Sequence, residues 1–160
     1  MSIVFRKIEK RDNEILSCLI KKVFEEFCID IPGTVYTDPT TDALYELFRK
    51  PGSVYWIAEE NNEILGGCGI YPTEELPEGY AELVKFYLST DSRGKGIGNK
   101  LMQKSIESAK EMNYTYLYLE SFPDLGKAVS LYERNGFTQL EKALGNSVHY
   151  ACTIWMERKL

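Results

Sequence analysis

Between Leu83 and Gly98 the chain reads LVKFYLSTDSRGKGIG, and no other stretch constrains its fold as tightly. An apolar, strand-like run passes into a turn with glycines at three alternate positions, Gly94, Gly96 and Gly98, and then into helix-type spacing. Glycine lets a backbone turn tightly and bring its N–H groups close to a ligand. The start of the following helix adds free N–H donors and a partial positive charge. Together these make a pocket for phosphate. The side chains agree, because Ser92 to Lys104 holds Arg93, Lys95, Lys100 and Lys104 and no acid, in a chain whose net charge is −5. An ordinary turn with a solvated basic face would not need strand, glycines and helix in this order.

The pocket is not of the nucleotide types with the best-known signatures. A Walker A loop requires Gly-Lys followed by Ser or Thr, whereas Gly94-Lys95 precedes Gly96 and Gly126-Lys127 precedes Ala128. A dinucleotide fingerprint needs wider glycine spacing near the chain start.

The remaining elements follow from periodicity. Ser2 to Ile8 reads as a strand. Ile15, Leu19, Val23 and Phe27 recur every fourth residue, which predicts an amphipathic helix over about 13–27 behind Asp12 as its cap. Pro32, Gly33 and Pro39 mark a loop, and Asp42 to Phe48 is expected to be a short helix. Ser53 to Glu59 and Glu63 to Tyr71 form a hairpin about Asn61-Asn62. A strand over Tyr80 to Leu88, a helix over Gly96 to Met112, a strand over Thr115 to Glu120 and a helix over Asp124 to Arg134 come next. Asn135-Gly136 stops that helix, and strands over Phe137 to Leu140 and Val148 to Glu157 close the chain. The order β-α-α-β-β-β-α-β-α-β-β predicts one α/β (α+β) domain over 1–160, with a mixed, mostly antiparallel sheet and helices on both faces.

Composition removes several functions. With 160 residues, 44% hydrophobic and 27% charged, the chain has the makings of a globular core without a disulfide or metal staple. Its acidity argues against nucleic acid as a partner. The single histidine, His149, excludes a polyhistidine metal site, so no metal is expected. Cys18, Cys28, Cys68 and Cys152 form no C-x-x-C pair and read as small buried thiols of a reduced, cytoplasmic protein. The first ten residues carry charge and lack the apolar core of a signal peptide, and no run approaches a membrane span.

Arg93-Gly94-Lys95-Gly96-Ile97-Gly98 resembles the pyrophosphate motif R/Q-x-x-G-x-G/A of the GNAT superfamily, the acetyl-CoA-dependent N-acetyltransferases. Ala128-Val129-x-Leu131-Tyr132-Glu133-x-x-Gly136-Phe137 is similar to a second segment of that family, in the right order. The resemblance implies a strand that splays from its parallel neighbour. The backbone of Phe86 and Leu88 would hold the pantetheine arm of acetyl-CoA, and Arg93, Gly94, Lys95, Gly96, Ile97 and Gly98 its pyrophosphate. It also implies Tyr132 as the acid at the departing sulfur. At Leu125 many relatives carry an Asn that contacts the cofactor, so one contact is missing or is supplied by Lys127 or Ser121.

Acetyl transfer to an amine requires a base. Glu82, near the start of the splayed strand, would serve if burial and neighbouring acids raise its pKa. His149 has the better intrinsic pKa. The sequence leaves the two as rivals. Seven acids and no Lys or Arg lie from Ile57 to Glu82, a stretch that would attract a cationic small-molecule amine if part of it rims the cleft. Tyr36, Asp38, Asp42 and Tyr45 stand where this fold covers its acceptor, and the loop before Asp42 is a candidate lid. The alternative is a non-catalytic acyl-CoA-binding or sensor module of the same fold. A homodimer is compatible with either.

Overall fold

A computed structural model describes residues 2–145 and 151–160. Seven strands form one sheet: β1 (Val4–Lys7), β2 (Val54–Glu60), β3 (Glu63–Tyr71), β4 (Tyr80–Leu88), β5 (Tyr116–Ser121), β6 (Thr138–Leu140) and β7 (Ile154–Lys159). Their order across the sheet is β1-β2-β3-β4-β5-β7-β6. Every neighbouring pair is antiparallel except β4 and β5. Asn61 and Asn62 join β2 to β3 with φ of 52° and 66°, the left-handed conformation that a two-residue hairpin needs and that Asn tolerates. The fold class expected from the sequence is the one observed.

The helices are α1 (Asn13–Glu26), α2 (Leu44–Leu47), α3 (Ile97–Glu111) and α4 (Gly126–Arg134). They cover both faces and define two cores. On one face Ile97, Leu101, Met102, Ile106 and Ala109 of α3, with Val129 and Tyr132 of α4, pack on Ala58, Cys68, Ile70, Ala81, Leu83 and Leu117. On the other, Leu16, Ile20 and Phe24 of α1 and Leu44 of α2 pack on Tyr55, Ile57 and Ile64.

The second helix and the last strand differ most from expectation. The helix expected from Asp42 to Phe48 shrinks to Leu44–Leu47, because a 3₁₀ turn over Pro39–Asp42 takes the preceding residues. Asp38 starts that turn by accepting the backbone N–H of Thr40 at 2.9 Å. The last strand begins at Ile154 and runs on to Lys159, since it must pair with β5 and β6 on its two edges. Residues 148–150 of the expected strand lie outside the described residues. Of the four cysteines only Cys68 and Cys152 are buried; Cys18 and Cys28 on and just beyond α1 are exposed.

One irregularity sets up the site. The β3–β4 register shifts between Gly67 and Gly69, and Lys85 on the facing strand takes φ of 55°. This is a β-bulge, with one extra residue on β4. Before it Ala81 and Leu83 face α3; after it Phe86 and Leu88 do. Val84 and Tyr87 face α1. Gly69 permits the tight packing here, since a Cβ would stand 2.7 Å from the rings of Phe48 and Tyr55.

Candidate active site

β4 and β5 part company early. They pair only from Tyr80 to Glu82 against Tyr116 to Tyr118. Beyond that the gap widens into a cleft of about 1150 Å³, floored by Phe86 and Leu88, closed by Ser121 and Phe122 at the end of β5, and walled by Leu131 and Tyr132 of α4. The Arg93–Gly98 turn lies at its mouth. Gly94 and Gly96 have φ of 77° and 78°, and a Cβ on either would meet nothing within 4 Å. The glycines are therefore needed for conformation, and the hollow beside them is open to a ligand. Gly96 is also the residue that starts α3, whose first N–H groups have no helical acceptor.

The basic cluster of the sequence divides here. Arg93 lines the cleft, held by Glu26 at 2.6 Å and by the carbonyl of Leu88 at 3.3 Å. Lys100 and Lys104 turn to the other side of α3, where the amine of Lys104 lies 4.7 Å from the Trp56 ring and that of Lys100 6.0 Å from Phe5. Helical periodicity sends them there. Lys127 and Arg134 of α4 line the cleft in their place. Ile97 is in the core and has only main-chain groups to offer, while Lys95 is exposed and its side chain is not among those lining the cleft.

A second cavity of about 270 Å³ opens on the α1 side of β4. Asp38, Glu74, Glu82 and Glu120 line it, with Thr73, Tyr118 and Lys85. Glu82, Val84, Lys85 and Glu120 border both cavities. Glu82 thus stands where the two meet. Its carboxylate accepts a hydrogen bond from the Thr73 hydroxyl at 2.7 Å. Burial pushes its pKa up to about 7, with Glu120 adding to the rise while Thr73 and Lys85 oppose it.

Tyr132 is buried beside Phe86 and Phe137, each ring centroid 6.0 Å away. Burial raises its phenol well above the ordinary value, so it keeps its proton at neutral pH. Cys152 lines the same cleft and Cys68 lies in the core beneath; burial pushes each thiol up to about 12, so neither is a thiolate.

The cleft thus gathers Phe86, Leu88, Arg93, Gly94, Gly96, Gly98 and Tyr132, with Glu82 at its junction with the second cavity. His149 lies outside the described residues. The acidic stretch disperses: Glu59 binds Arg6 at 2.8 Å, Glu60 and Glu63 flank the hairpin turn, Glu75 and Glu78 are exposed, and only Glu74 and Glu82 reach the second cavity. Of the four residues expected to cover the acceptor, only Asp38 lines the second cavity. Asp42 binds Lys21 at 2.9 Å and Ser17, Tyr36 reaches Glu25 at 3.3 Å, and the Tyr45 ring lies beside Arg49. Sequence reasoning missed Glu120 and Lys85. Strand alternation could have found Glu120, because Glu82 pairs with Tyr118 and Glu120 follows two residues on. Nothing in the local sequence betrays the bulge that turns Lys85 inward.

The Acetyltransferase (GNAT) family profile matches residues 20–137. The chain belongs to the GNAT family of acetyltransferases. Among curated relatives, the uncharacterized N-acetyltransferase YjgM of Escherichia coli (strain K12) is 36% identical over 160 residues, 99% of this chain and 96% of the relative. The N-acetyltransferase 8B of Rattus norvegicus is 35% identical over 88 residues, 54% of this chain and only 40% of the rat protein. Among solved structures, a GNAT acetyltransferase from Staphylococcus aureus superposes with a TM-score of 0.84 at 23% identity over 99% of both chains. The PaiA N-acetyltransferase from Thermoplasma acidophilum, solved with coenzyme A, gives 0.76 at 20% identity over the full length of both chains. Acetyl-CoA is the acyl donor of the GNAT family, and the open hollow at Gly94 and Gly96 and the slot between β4 and β5 suit a pyrophosphate and an extended arm. Leu125 lines this GNAT cleft with an apolar side chain, so it makes no amide contact there. No helix among the described residues is long and apolar enough to cross a membrane, and no group of three or more metal-ligating side chains occurs among them.

Proposed function

We propose that the chain acetylates the primary amine of a small cationic molecule by direct attack on acetyl-CoA. The observation that carries this reading is the place of Glu82, on the border of an open cleft and an acidic cavity, with a pKa of about 7. The backbone of Phe86 and Leu88 holds the donor's arm, and the N–H groups of Arg93 to Gly98, with the Arg93 and Lys127 side chains, hold its pyrophosphate. Acetyl-CoA supplies an activated thioester carbonyl.

The amine arrives as an ammonium, drawn by Asp38, Glu74, Glu82 and Glu120. Glu82 takes its proton, directly or through a water, at a pH where the carboxylate is available and still basic enough to compete. Tyr132 keeps a proton at its hydroxyl for the departing sulfur. Direct attack is favoured over a covalent acyl-enzyme because Cys68 and Cys152 stay protonated. His149 is the rival base. The test is a broad amine panel with thiol release as readout, repeated with Glu82→Gln and His149→Gln. Turnover is expected to collapse with the first and survive the second; the reverse would transfer the role to His149.

The second reading, a non-catalytic acyl-CoA sensor, draws on the apolar Leu125 in the cleft. It predicts donor binding with no thiol release from any amine in the panel.

A further inference from the structure

Lys85 occupies a backbone conformation that glycine would adopt more easily, so its side chain has to account for its presence. The bulge turns that side chain onto the acceptor face, the face that also carries Val84 and Glu82. There the ammonium is buried and lies 3.4 Å from each of three oxygens, Asp38 Oδ2, Thr40 Oγ1 and Thr41 Oγ1. Three acceptors match the three donors of an ammonium, and all three come from one segment. That segment, residues 34–42, has no strand partner; its own turns organise it, and Asp42 and Tyr36 tie its outer side to α1. Asp38 caps Thr40 at 2.9 Å, and the Thr41 hydroxyl donates to the carbonyl of Val35 at 2.8 Å. From β2, on the same face, the Tyr55 hydroxyl donates to the Lys85 carbonyl at 2.7 Å and holds the bulge in place.

We infer that Lys85 is a positioning residue, whose ammonium fastens segment 34–42 to the β4 bulge and so fixes one wall of the acceptor cavity. The inference rests on the proposed reading of that cavity as the amine site. Its electrostatic consequence concerns Glu82, which is faced by Thr73 and Glu74 from the β3–β4 connection, by Tyr118 and Glu120 from β5, by Asp38 from the segment, and by Lys85 as the one cation lining the cavity among the described residues. Lys85 opposes the rise in the Glu82 pKa. Removing its charge therefore moves the acid limb of the rate to higher pH.

The experiment compares wild type with Lys85→Met, Asp38→Asn and the double variant, and adds Thr41→Val as a milder cut. In Lys85→Met, amide hydrogen exchange in 34–42 is expected to accelerate roughly tenfold while α3 keeps its protection. The acceptor KM is expected to rise by about tenfold with a smaller fall in kcat, and the acid limb to move to higher pH. Asp38→Asn should reproduce part of the exchange effect, and in the double variant segment 34–42 should exchange no faster than in Lys85→Met, since the Asp38 contact is one of the three that Lys85→Met already removes. Unchanged exchange in 34–42 overturns the inference whatever the activity. So does an unchanged KM in an active Lys85→Met variant, or a strictly additive effect of the two substitutions on exchange in 34–42. If Lys85→Met does not fold, Asp38→Asn and Thr41→Val answer the same exchange question. A wild type that acetylates no amine overturns the amine-site reading instead, and the exchange result still judges whether Lys85 fastens the segment.

Discussion

Glu82 and Tyr132 differ in how burial serves them. For Glu82 it raises an acid toward neutrality, so the rate should climb as pH rises through about 7 and level off above it. The same burial has a cost in stability. Below the ordinary carboxylate range both folded and unfolded chains are protonated and nothing is lost; between there and about pH 7 the unfolded chain ionises first and stability falls. Glu82→Gln should thus be more stable than wild type at pH 8, on the order of 2 kcal/mol, with the gain vanishing near pH 4. Denaturant midpoints at the two values check this, and a gain of equal size at both would refute it. For Tyr132 burial secures the proton in place. Tyr132→Phe keeps the ring packing against Phe86 and Phe137 but removes the hydroxyl. Turnover should drop by about 10²-fold while calorimetry shows donor affinity nearly unchanged. Equal turnover would remove Tyr132 from the chemistry.

At the scale of elements, the Arg93–Gly98 turn depends on main-chain conformation. Gly96→Val places a β-branched residue at φ 78°. The turn must then rearrange, and acetyl-CoA binding should disappear in a titration while α3 and the sheet keep their circular dichroism. Retained affinity would sink the pyrophosphate assignment. This turn was legible in the sequence because its chemistry is local: glycines, strand and helix all lie within one short stretch. The bulge on β4 was not, because Lys85 takes its conformation opposite the glycines of β3, a neighbour remote in sequence. The charges show the same division. Counting cations from Ser92 to Lys104 found a basic region, but helical periodicity sends Lys100 and Lys104 to the Phe5 and Trp56 side. The second cavity draws Asp38, Glu74, Glu82 and Glu120 from four separate places in the chain, and only tertiary packing brings them together.

Over the whole molecule, the sheet separates two cores, and the proposed function assigns the donor to one side and the acceptor to the other. Leu101 under α3 and Leu16 on α1 are both fully buried. Truncating either to Ala should cost roughly 2–5 kcal/mol. The consequences for binding should differ, with Leu101→Ala weakening the donor and Leu16→Ala the acceptor, as separate titrations would show; equal losses on both sides would contradict this division. The parting of β4 from β5 leaves the sheet incomplete across its middle. In the proposed function an extended arm lying in that gap supplies the missing neighbour and forms the floor for the amine. The proposed function then predicts ordered arrival, with the donor first, the amine second and free coenzyme A leaving last. Initial-rate patterns should be sequential, with coenzyme A competing against acetyl-CoA but not against the amine.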